Sequence, residues 1–269
     1  GVDGITFTGS YEVGMGIHRS FATRWPKPAI CEMGGKNPVV ISRHADLDAA
    51  AEGVNRSAFG FGGQKCSAAS RVYVEHPVVD NFVDLLVART DEIAIGDPLD
   101  RGTYLGPVID PGAVTRYQEA VAEAAASGAV HTGGRVVIDG DLERGNFVAP
   151  TVVTADPASW LWRRELFVPL VAVAPVDSID QGIDRANDTE YGLTAGFFSE
   201  DPTEVDRFLE RIEAGVVYVN RRIGATTGAW PAVQPFGGWK GSGTAGKAGG
   251  GPHYLTQYLR EQSRTIVGG

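Results

Sequence analysis

Short apolar runs alternate along the chain with longer segments in which apolar residues recur every three or four positions. The short runs are typical of buried strands, and the longer segments have the period of amphipathic helices. The predicted strands cover 4–9, 29–35, 38–42, 70–75, 129–134, 147–153, 167–176, 193–199 and 216–220. The predicted helices cover 10–25, 46–61, 77–90, 111–128, 178–187 and 202–215. Strands separated by helices predict an α/β fold with a mostly parallel sheet.

Residues at the ends of these segments support the assignments. Ser10 is a typical N-cap, Pro77 stands in the first turn of its helix, and Gly128 is a typical C-cap. One face of the helix predicted at 46–61 collects Leu47, Ala50, Ala51, Val54, Ala58 and Phe61. Residues 221–251 lack periodicity and predict a long functional loop. The end of the chain, 253–267, predicts a helix followed by a short strand.

Composition and charge narrow the classes of partner. The chain has 269 residues and a net charge of −9, which gives no electrostatic footprint for nucleic acid or an anionic membrane. No apolar run approaches the ~18–20 residues of a membrane span. The two cysteines, Cys31 and Cys66, form no disulfide framework, which favours a reducing, cytoplasmic compartment. The five histidines and the two cysteines are not spaced as metal ligands are, so no metal site is expected.

Cys66 is the first candidate for chemistry. Three glycines, Gly60, Gly62 and Gly63, precede it, and Ser67 follows it directly. A lone cysteine is most often a small buried hydrophobe, and that interpretation stays open here. The alternative is a nucleophile, since a thiolate attacks carbonyl carbon well and the glycines would let backbone N–H groups approach an oxyanion.

Glu32 is the second candidate, because a glutamate between an apolar strand and a Gly-Gly turn is unusual. It is either an exposed turn residue or a partly buried carboxylate that activates water. The neighbouring Cys31 is expected to serve packing. Gly9 and Ser10, between a strand and a helix, either form a tight capped turn or present N–H groups to a phosphate.

Two further stretches carry weaker signals. Glu165 precedes an apolar strand and could bind a ribose diol, but a simple strand entry explains it equally well. Phe236 and Trp239 stand among glycines, where they line a pocket or close a core.

Taken together, the stretches FTGSYEVG, CEMGGKN, GQKCSAASR, ELFVP, VNR and QPFGGWKGSG closely resemble the NAD(P)-dependent aldehyde dehydrogenase superfamily in order and spacing. The resemblance implies a parallel-sheet catalytic domain plus the end of a Rossmann-like NAD-binding domain. It implies that Cys66 attacks the aldehyde and that Glu32 activates the water that hydrolyses the thioester. The cofactor NAD, with NADP left open, would contact Gly9, Ser10, Met33, Glu165 and Phe167. Val168 stands where the family has glycine, which is expected to shift the ribose-binding strand.

Within the superfamily, residues 219–250 are similar to the 1-pyrroline-5-carboxylate dehydrogenases. The similarity implies that L-glutamate γ-semialdehyde is oxidised to L-glutamate in proline catabolism. Ser67, Gly228 and Ala229 match the positions that hold the α-carboxylate of the substrate in that branch, and Phe236 is expected to line the same site. About three extra residues in the loop leave another aldehyde open as the substrate.

The resemblance covers essentially the whole chain but only the C-terminal part of a typical member. It implies three regions: 1–34, the end of the NAD-binding domain; 35–241, the catalytic domain; and 242–269, a tail with an oligomerisation strand. The isolated chain is therefore expected to be inactive or weak, and the complete protein a homo-oligomer, dimeric or larger. Two alternatives remain open: a non-catalytic relic of the fold, and a thiol hydrolase or acyl-CoA-forming enzyme that uses the same cysteine.

Overall fold

A seven-stranded sheet forms the centre of the molecule in a computed structural model that describes residues 1–226 and 233–268. In chain order its strands are β3 (Asn37–Ile41), β4 (Ala69–Glu75), β5 (Ala129–Thr132), β6 (Thr151–Thr154), β7 (Leu170–Val176), β9 (Thr194–Phe198) and β10 (Val216–Val219). They lie side by side in the order β10-β9-β3-β4-β7-β6-β5. Every neighbouring pair is parallel except β5 and β6, so the predicted mostly parallel sheet is confirmed.

Two small sheets accompany the central one. Strands β1 (Ile5–Thr8) and β2 (Ala29–Glu32) form a parallel pair. Strands β8 (Tyr191–Gly192) and β11 (Trp239–Lys240) form an antiparallel pair. The sequence did not predict β8 or β11, because two-residue strands are too short to produce an alternating pattern.

The structure describes six α-helices; the first packs on β2 of the small parallel sheet, and the other five cover the two faces of the central sheet. They are α1 (Tyr11–Phe21), α2 (Leu47–Phe59), α3 (Val79–Asp91), α4 (Pro111–Ser127), α5 (Ile179–Asn187) and α6 (Pro202–Arg211). Side chains of α2 and α3 share one apolar cluster, and side chains of α4, α5 and α6 share the other. Along β3 the residues alternate between these clusters, with Val39 and Ile41 in one and Val40 in the other. A strand covered on both faces must carry apolar residues on both sides. The apolar run predicted at 38–42 meets this requirement.

Helix ends follow the side-chain chemistry read from the sequence. The hydroxyl of Ser10 accepts a hydrogen bond from the N–H of Val13 at the start of α1, as expected of an N-cap. Gly128 caps the end of α4, where a Cβ atom would lie 2.2 Å from the carbonyl oxygen of Thr154. None of the helices within residues 1–226 and 233–268 is long and apolar enough to span a membrane.

Two local predictions are wrong. Phe61 is not on the face of α2, since the helix ends at Phe59 and Phe61 is 76% exposed with φ +59°. The glycines around it end the helix, because they favour conformations outside the helical region. Pro77 lies in a 3₁₀ turn, His76–Val78, that precedes α3.

The end of the chain also differs from the prediction. Only a 3₁₀ turn, Leu255–Tyr258, forms where a helix was expected, and 260–268 have no regular structure. Ile266 and Val267 are 92% and 88% exposed. A strand needs a neighbouring edge for its hydrogen bonds, and none of the described residues supplies one here.

Arg71 is the largest fully buried side chain of the fold. Its guanidinium donates to the carbonyl oxygens of Lys36 (2.9 Å), Arg185 (3.2 Å) and Ala186 (2.9 Å), which ties β4 to the start of β3 and the end of α5. No carboxylate of the described residues forms a salt bridge with it, so carbonyl dipoles satisfy the charge.

Replacing Arg71 by methionine is expected to lower the free energy of unfolding by about 3 kcal/mol, because it leaves buried carbonyl oxygens without donors. Urea unfolding followed by circular dichroism measures the loss. Arg207→Met is the matched control: this arginine is paired with Asp180 on the surface, and the pair is worth less than about 1 kcal/mol. Equal losses in the two variants would contradict the prediction.

Candidate active site

The amino ends of the central strands meet the carboxyl ends of β1 and β2 in one place. Asn37 at the start of β3 is paired with Ala69 at the start of β4, so the loops before these strands are neighbours. The turn that holds Cys66 is one of these loops, and the Gly34–Gly35 turn after β2 is the other. A third loop, at Glu165–Phe167, precedes β7, which is paired with β4.

These loops surround a cavity of about 640 Å³. Its walls are Thr8, Gly9, Ser10, Met33, Gly34, Gln64, Lys65, Cys66, Ser67, Arg116, Glu165, Leu166 and Phe167. Seven of these were candidates from the sequence: Gly9, Ser10, Met33, Cys66, Ser67, Glu165 and Phe167. Residues more than a hundred positions apart therefore line one chamber with a thiol in its wall.

Cys66 occupies a turn in which the N–H of Ala68 donates to the carbonyl of Lys65 at 3.0 Å. Burial, together with the nearby carboxylates of Glu165 and Glu32, raises the pKa of the Cys66 thiol. The backbone N–H groups of Cys66 and Ser67 lie near the sulfur and act in the opposite direction, lowering the pKa of the thiol. The thiol is thus held next to two donors that would stabilise its ionised form.

The last residue of β2 is Glu32, and burial raises the pKa of its carboxyl to about 7. One carboxyl oxygen, Oε2, is buried, and no donor among the described residues reaches it. A carboxylate that is desolvated and unpaired, with a pKa near neutrality, has the properties of a general base. The interpretation of Glu32 as an exposed turn residue is wrong, because Glu32 ends strand β2, is half-buried and has a buried Oε2. It is not one of the wall residues of the cavity, but its carboxylate is close enough to Cys66 to raise the pKa of the thiol.

Residues from the far end of the chain fix the backbone on both sides of Glu32. The hydroxyl of Thr244 accepts from the N–H of Cys31 (2.8 Å) and donates to the carbonyl of Ala29 (2.7 Å). The N–H of Met33 donates to the carbonyl of Ser242 at 2.9 Å. The base therefore lies between two anchored peptides.

Glu165 lies beside the Gly34–Gly35 turn. Its Oε1 accepts a hydrogen bond from the N–H of Gly35 at 2.9 Å, and burial raises the pKa of its carboxyl. The fully buried Lys36 is nearby, and burial together with Arg71 lowers the pKa of its ammonium group to about 7. Among the described residues no donor is bonded to Oε2 of Glu165, so this oxygen can accept a hydroxyl of a ligand.

Phe167, the residue before Val168, has φ +59°. This left-handed conformation is strained for an aromatic residue, and such strain is concentrated at functional sites. Val168 is buried, and a Cβ atom on Gly63 would lie 2.5 Å from its carbonyl oxygen. The loop is therefore packed directly against the glycines that precede the thiol.

Some candidates lie elsewhere. Phe236 does not line the cavity; its backbone pairs with Gly249, and its role toward a substrate stays a prediction. Gly228 and Ala229 lie outside the described residues. Cys31 is 1% exposed, and its thiol donates to the carbonyl of Gly14 at 3.6 Å, which confirms the packing interpretation.

Sequence reasoning missed six wall residues: Thr8, Gly34, Gln64, Lys65, Arg116 and Leu166. Five of them lie within or beside the quoted motifs, so the motifs could have indicated them. Arg116 lies on α4, in an amphipathic segment with no motif, and its guanidinium donates to the carbonyl of Leu166 at 3.3 Å. Only packing reveals it.

Outside the cavity, His44, Asp201 and Glu204 place possible metal-ligand atoms within 4.8 Å of one another. His44 Nδ1 is 3.0 Å from Glu204 Oε1, the other oxygen of Glu204 accepts from Ser199, and Asp201 caps α6. Capping and hydrogen bonding account for all three side chains.

Comparisons with known proteins agree with this geometry. The model of the aldehyde dehydrogenase family matches residues 1–263. The 1-pyrroline-5-carboxylate dehydrogenase of Geobacillus sp. (strain WCH70) is 39% identical over 268 residues, which cover 97% of this chain and 50% of the relative. The chain thus spans about half the length of the curated relatives it matches.

Solved structures give the same result. A 1-pyrroline-5-carboxylate dehydrogenase from Thermus with bound NAD has a TM-score of 0.89 at 35% identity, covering 96% of this chain and 50% of that one. Proline utilization A from Bdellovibrio bacteriovorus has a TM-score of 0.89 at 44% identity, covering 96% of this chain and 27% of that one. The family model matches nearly the whole chain, and the fold agrees with solved structures of relatives. The chain therefore belongs to the aldehyde dehydrogenase family.

Proposed function

We propose that the chain carries the catalytic half of an enzyme that oxidises an aldehyde to a carboxylate with NAD. The observation that carries the proposal is a pair of neighbouring groups. One is a thiol in the cavity wall, and the other is the carboxyl of Glu32, which is close enough to raise the pKa of that thiol. This carboxyl has a pKa of about 7 and no hydrogen-bond partner on its buried Oε2 among the described residues. A nucleophile and a base of this kind suit a two-stage reaction through a covalent thioester.

In the first stage the thiolate of Cys66 attacks the carbonyl carbon and forms a C–S bond, giving a thiohemiacetal. The carbon then loses its hydrogen with the bonding electron pair, and a thioester on Cys66 results. NAD, when bound, supplies the acceptor for that hydride. The N–H groups at Cys66 and Ser67 stabilise negative charge during this stage.

In the second stage Glu32 takes a proton from water, and the resulting hydroxide attacks the thioester carbon. The C–S bond breaks, the carboxylate product leaves, and the thiolate is restored. Burial makes Glu32 a stronger base than an exposed glutamate, since desolvation destabilises its ionised form. The anchored peptides on either side hold it in place for this step.

The residues present fit the nicotinamide end of the cofactor. Glu165 offers a free carboxylate oxygen for the ribose, Phe167 packs beside it, and Met33 lies in the same wall. Gly9 and Ser10 bring the start of α1 to the cavity, where helix N–H groups favour phosphate. The Thermus relative with bound NAD supports this assignment, and NADP remains open.

Gly34→Ala is expected to raise the KM for NAD roughly 10- to 100-fold, the value of one hydrogen bond to a charged group. A Cβ atom at Gly34 would lie 2.1 Å from Oε2 of Glu165, so the carboxylate must move. Steady-state kinetics measures the effect. Gly16→Ala is the matched control, because a Cβ atom there meets nothing within 4 Å. An unchanged KM in Gly34→Ala would contradict the assignment of Glu165.

For the substrate we propose L-glutamate γ-semialdehyde, oxidised to L-glutamate in proline catabolism. The names of the relatives support it, as does the position of Ser67 in the cavity wall. Lys65 and Arg116 bring positive side chains to the same wall, which suits an acidic substrate. The roles of Gly228, Ala229 and Phe236 toward the carboxylate belong to the same proposal.

The exposed Ile266 and Val267 suit a tail that pairs with another subunit in a homo-oligomer.

The test measures NADH formation with glutamate semialdehyde and with a plain aliphatic aldehyde. The chain is assayed alone and as the complemented protein, meaning its fusion to the N-terminal half of the Geobacillus relative. Turnover with glutamate semialdehyde alone is the expected result for the complemented protein. Equal turnover of both aldehydes would overturn the substrate, and no turnover with any aldehyde would overturn the enzyme.

A further inference from the structure

Asn37 is 1% exposed at the start of β3, and its carboxamide reaches into the turn that holds Cys66. Its Nδ2 donates to the carbonyl oxygens of Cys66 (2.7 Å) and Ala68 (2.8 Å), and its Oδ1 accepts from the N–H of Thr194 at 3.1 Å. We propose that Asn37 is a positioning residue that orients the Cys66–Ser67 peptide so that its N–H faces the sulfur. This inference rests on the proposed function only for the catalytic meaning of the thiol.

In a trans peptide the C=O and the N–H point in opposite directions. The carbonyl of Cys66 and the N–H of Ser67 belong to the same peptide. When Asn37 draws the carbonyl toward β3, the N–H of Ser67 is turned to the opposite side, and it lies near enough to the sulfur of Cys66 to lower the pKa of the thiol.

The surrounding backbone is shaped for this contact. A Cβ atom on Gly35 would lie 2.6 Å from the carbonyl oxygen of Cys66 and 2.7 Å from Oδ1 of Asn37. Only glycine at this position leaves room for the carbonyl and the carboxamide to meet. Thr194, at the start of β9, fixes the other end of the carboxamide, so its orientation is set by a third strand.

The next carbonyl of the turn provides an internal comparison. The hydroxyl of Thr226 donates to the carbonyl of Ser67 at 2.7 Å, in a fully buried position like that of Asn37. The N–H of that peptide belongs to Ala68, and it donates to the carbonyl of Lys65 at 3.0 Å. Thr226 therefore holds the turn without directing an N–H at the sulfur.

The first test measures the rate of Cys66 alkylation by iodoacetamide against pH in the full chain, with the Cys66 peptide quantified by mass spectrometry. Asn37→Leu is expected to raise the apparent pKa of the thiol, so that alkylation below that pKa slows about tenfold. Thr226→Val is the matched control and is expected to change the rate by less than about twofold. Equal effects in the two variants, or no effect in Asn37→Leu, would overturn the proposal.

A second measurement needs no variant, which matters if Asn37→Leu fails to fold. Cys66–Ser67 is the one Cys-Ser pair in the sequence. Labelling cysteine with ¹³C at the carbonyl and serine with ¹⁵N therefore gives one correlated NMR signal, from this peptide. The Ser67 amide shifts are expected to titrate with the alkylation pKa. Shifts that stay constant through that titration would overturn the proposal.

Neither readout depends on turnover. If NADH formation fails while Asn37→Leu still raises the alkylation pKa of the thiol, the proposed function falls and the role of Asn37 stands. If turnover is present and the Ser67 amide does not respond, the proposed function stands and the role of Asn37 falls.

Discussion

Replacing Cys66 by alanine is expected to abolish NADH formation by the complemented protein, with a loss of about 10⁴-fold or more. The physical reason is that Cys66 is the one thiol of the described residues that lines the cavity, and a thiolate is a far better nucleophile than the hydroxyls beside it. Steady-state assay with the preferred aldehyde measures the loss, and mass spectrometry should find no acyl adduct on the variant.

Cys31→Ala is the control for this experiment. Cys31 is buried against α1 and its thiol does not line the cavity, so the variant should keep most of the activity. Activity that survives in Cys66→Ala, or that disappears equally in both variants, would exclude Cys66 as the nucleophile.

Glu32→Gln is expected to slow thioester hydrolysis by about 10²–10⁴-fold and to slow hydride transfer much less. The amide cannot accept a proton from water, while the thiol and the cofactor residues stay unchanged. Single-turnover measurements separate the two steps: a burst of NADH should persist while steady-state turnover falls. Loss of the burst to the same extent would contradict a role confined to hydrolysis.

The pH profile of hydrolysis gives an independent test of the same residue. Glu32 acts as a base only when it is ionised, and burial raises its pKa to about 7. The rate of hydrolysis should therefore rise about tenfold per pH unit below 7 and level off above it. The inflection should vanish in Glu32→Gln and persist in Glu210→Gln, which removes an exposed carboxylate on α6. A profile without an inflection near 7 in the unchanged protein would contradict the assignment.

Features of the fold that depend on residues close together in the sequence could be predicted, and features that depend on distant residues could not. Helix α1 was predictable, because Ser10 and the apolar period lie within a few residues of one another. The strand predicted near the end of the chain does not form, because a strand also needs a partner edge. Residues 260–267 have the composition of a strand, but composition does not supply that edge. The division into regions 1–34, 35–241 and 242–269 stays a prediction.

The candidate site divides in a similar way. Cys66 and Glu32 could be singled out because each stands in an unusual local setting, and the ordered motifs pointed to one family. The sequence offered no reason to connect Gly35 with Glu165, which are 130 positions apart and joined by a hydrogen bond of 2.9 Å. Arg116 carried no signal of its own, and Asn37 stood in the motif CEMGGKN without a role; both gain a role only through what they touch.

The sequence by itself therefore determined the alternation of strands and helices, the family, and the identity of the thiol and the carboxyl. The tertiary structure alone decided the pKa of Glu32 near 7, the hydrogen bonds of Asn37 to the turn that holds Cys66, and the carbonyl oxygens that surround Arg71. Periodicity and caps act between neighbours along the chain, whereas desolvation and hydrogen bonding in the interior depend on groups that folding brings together from distant positions.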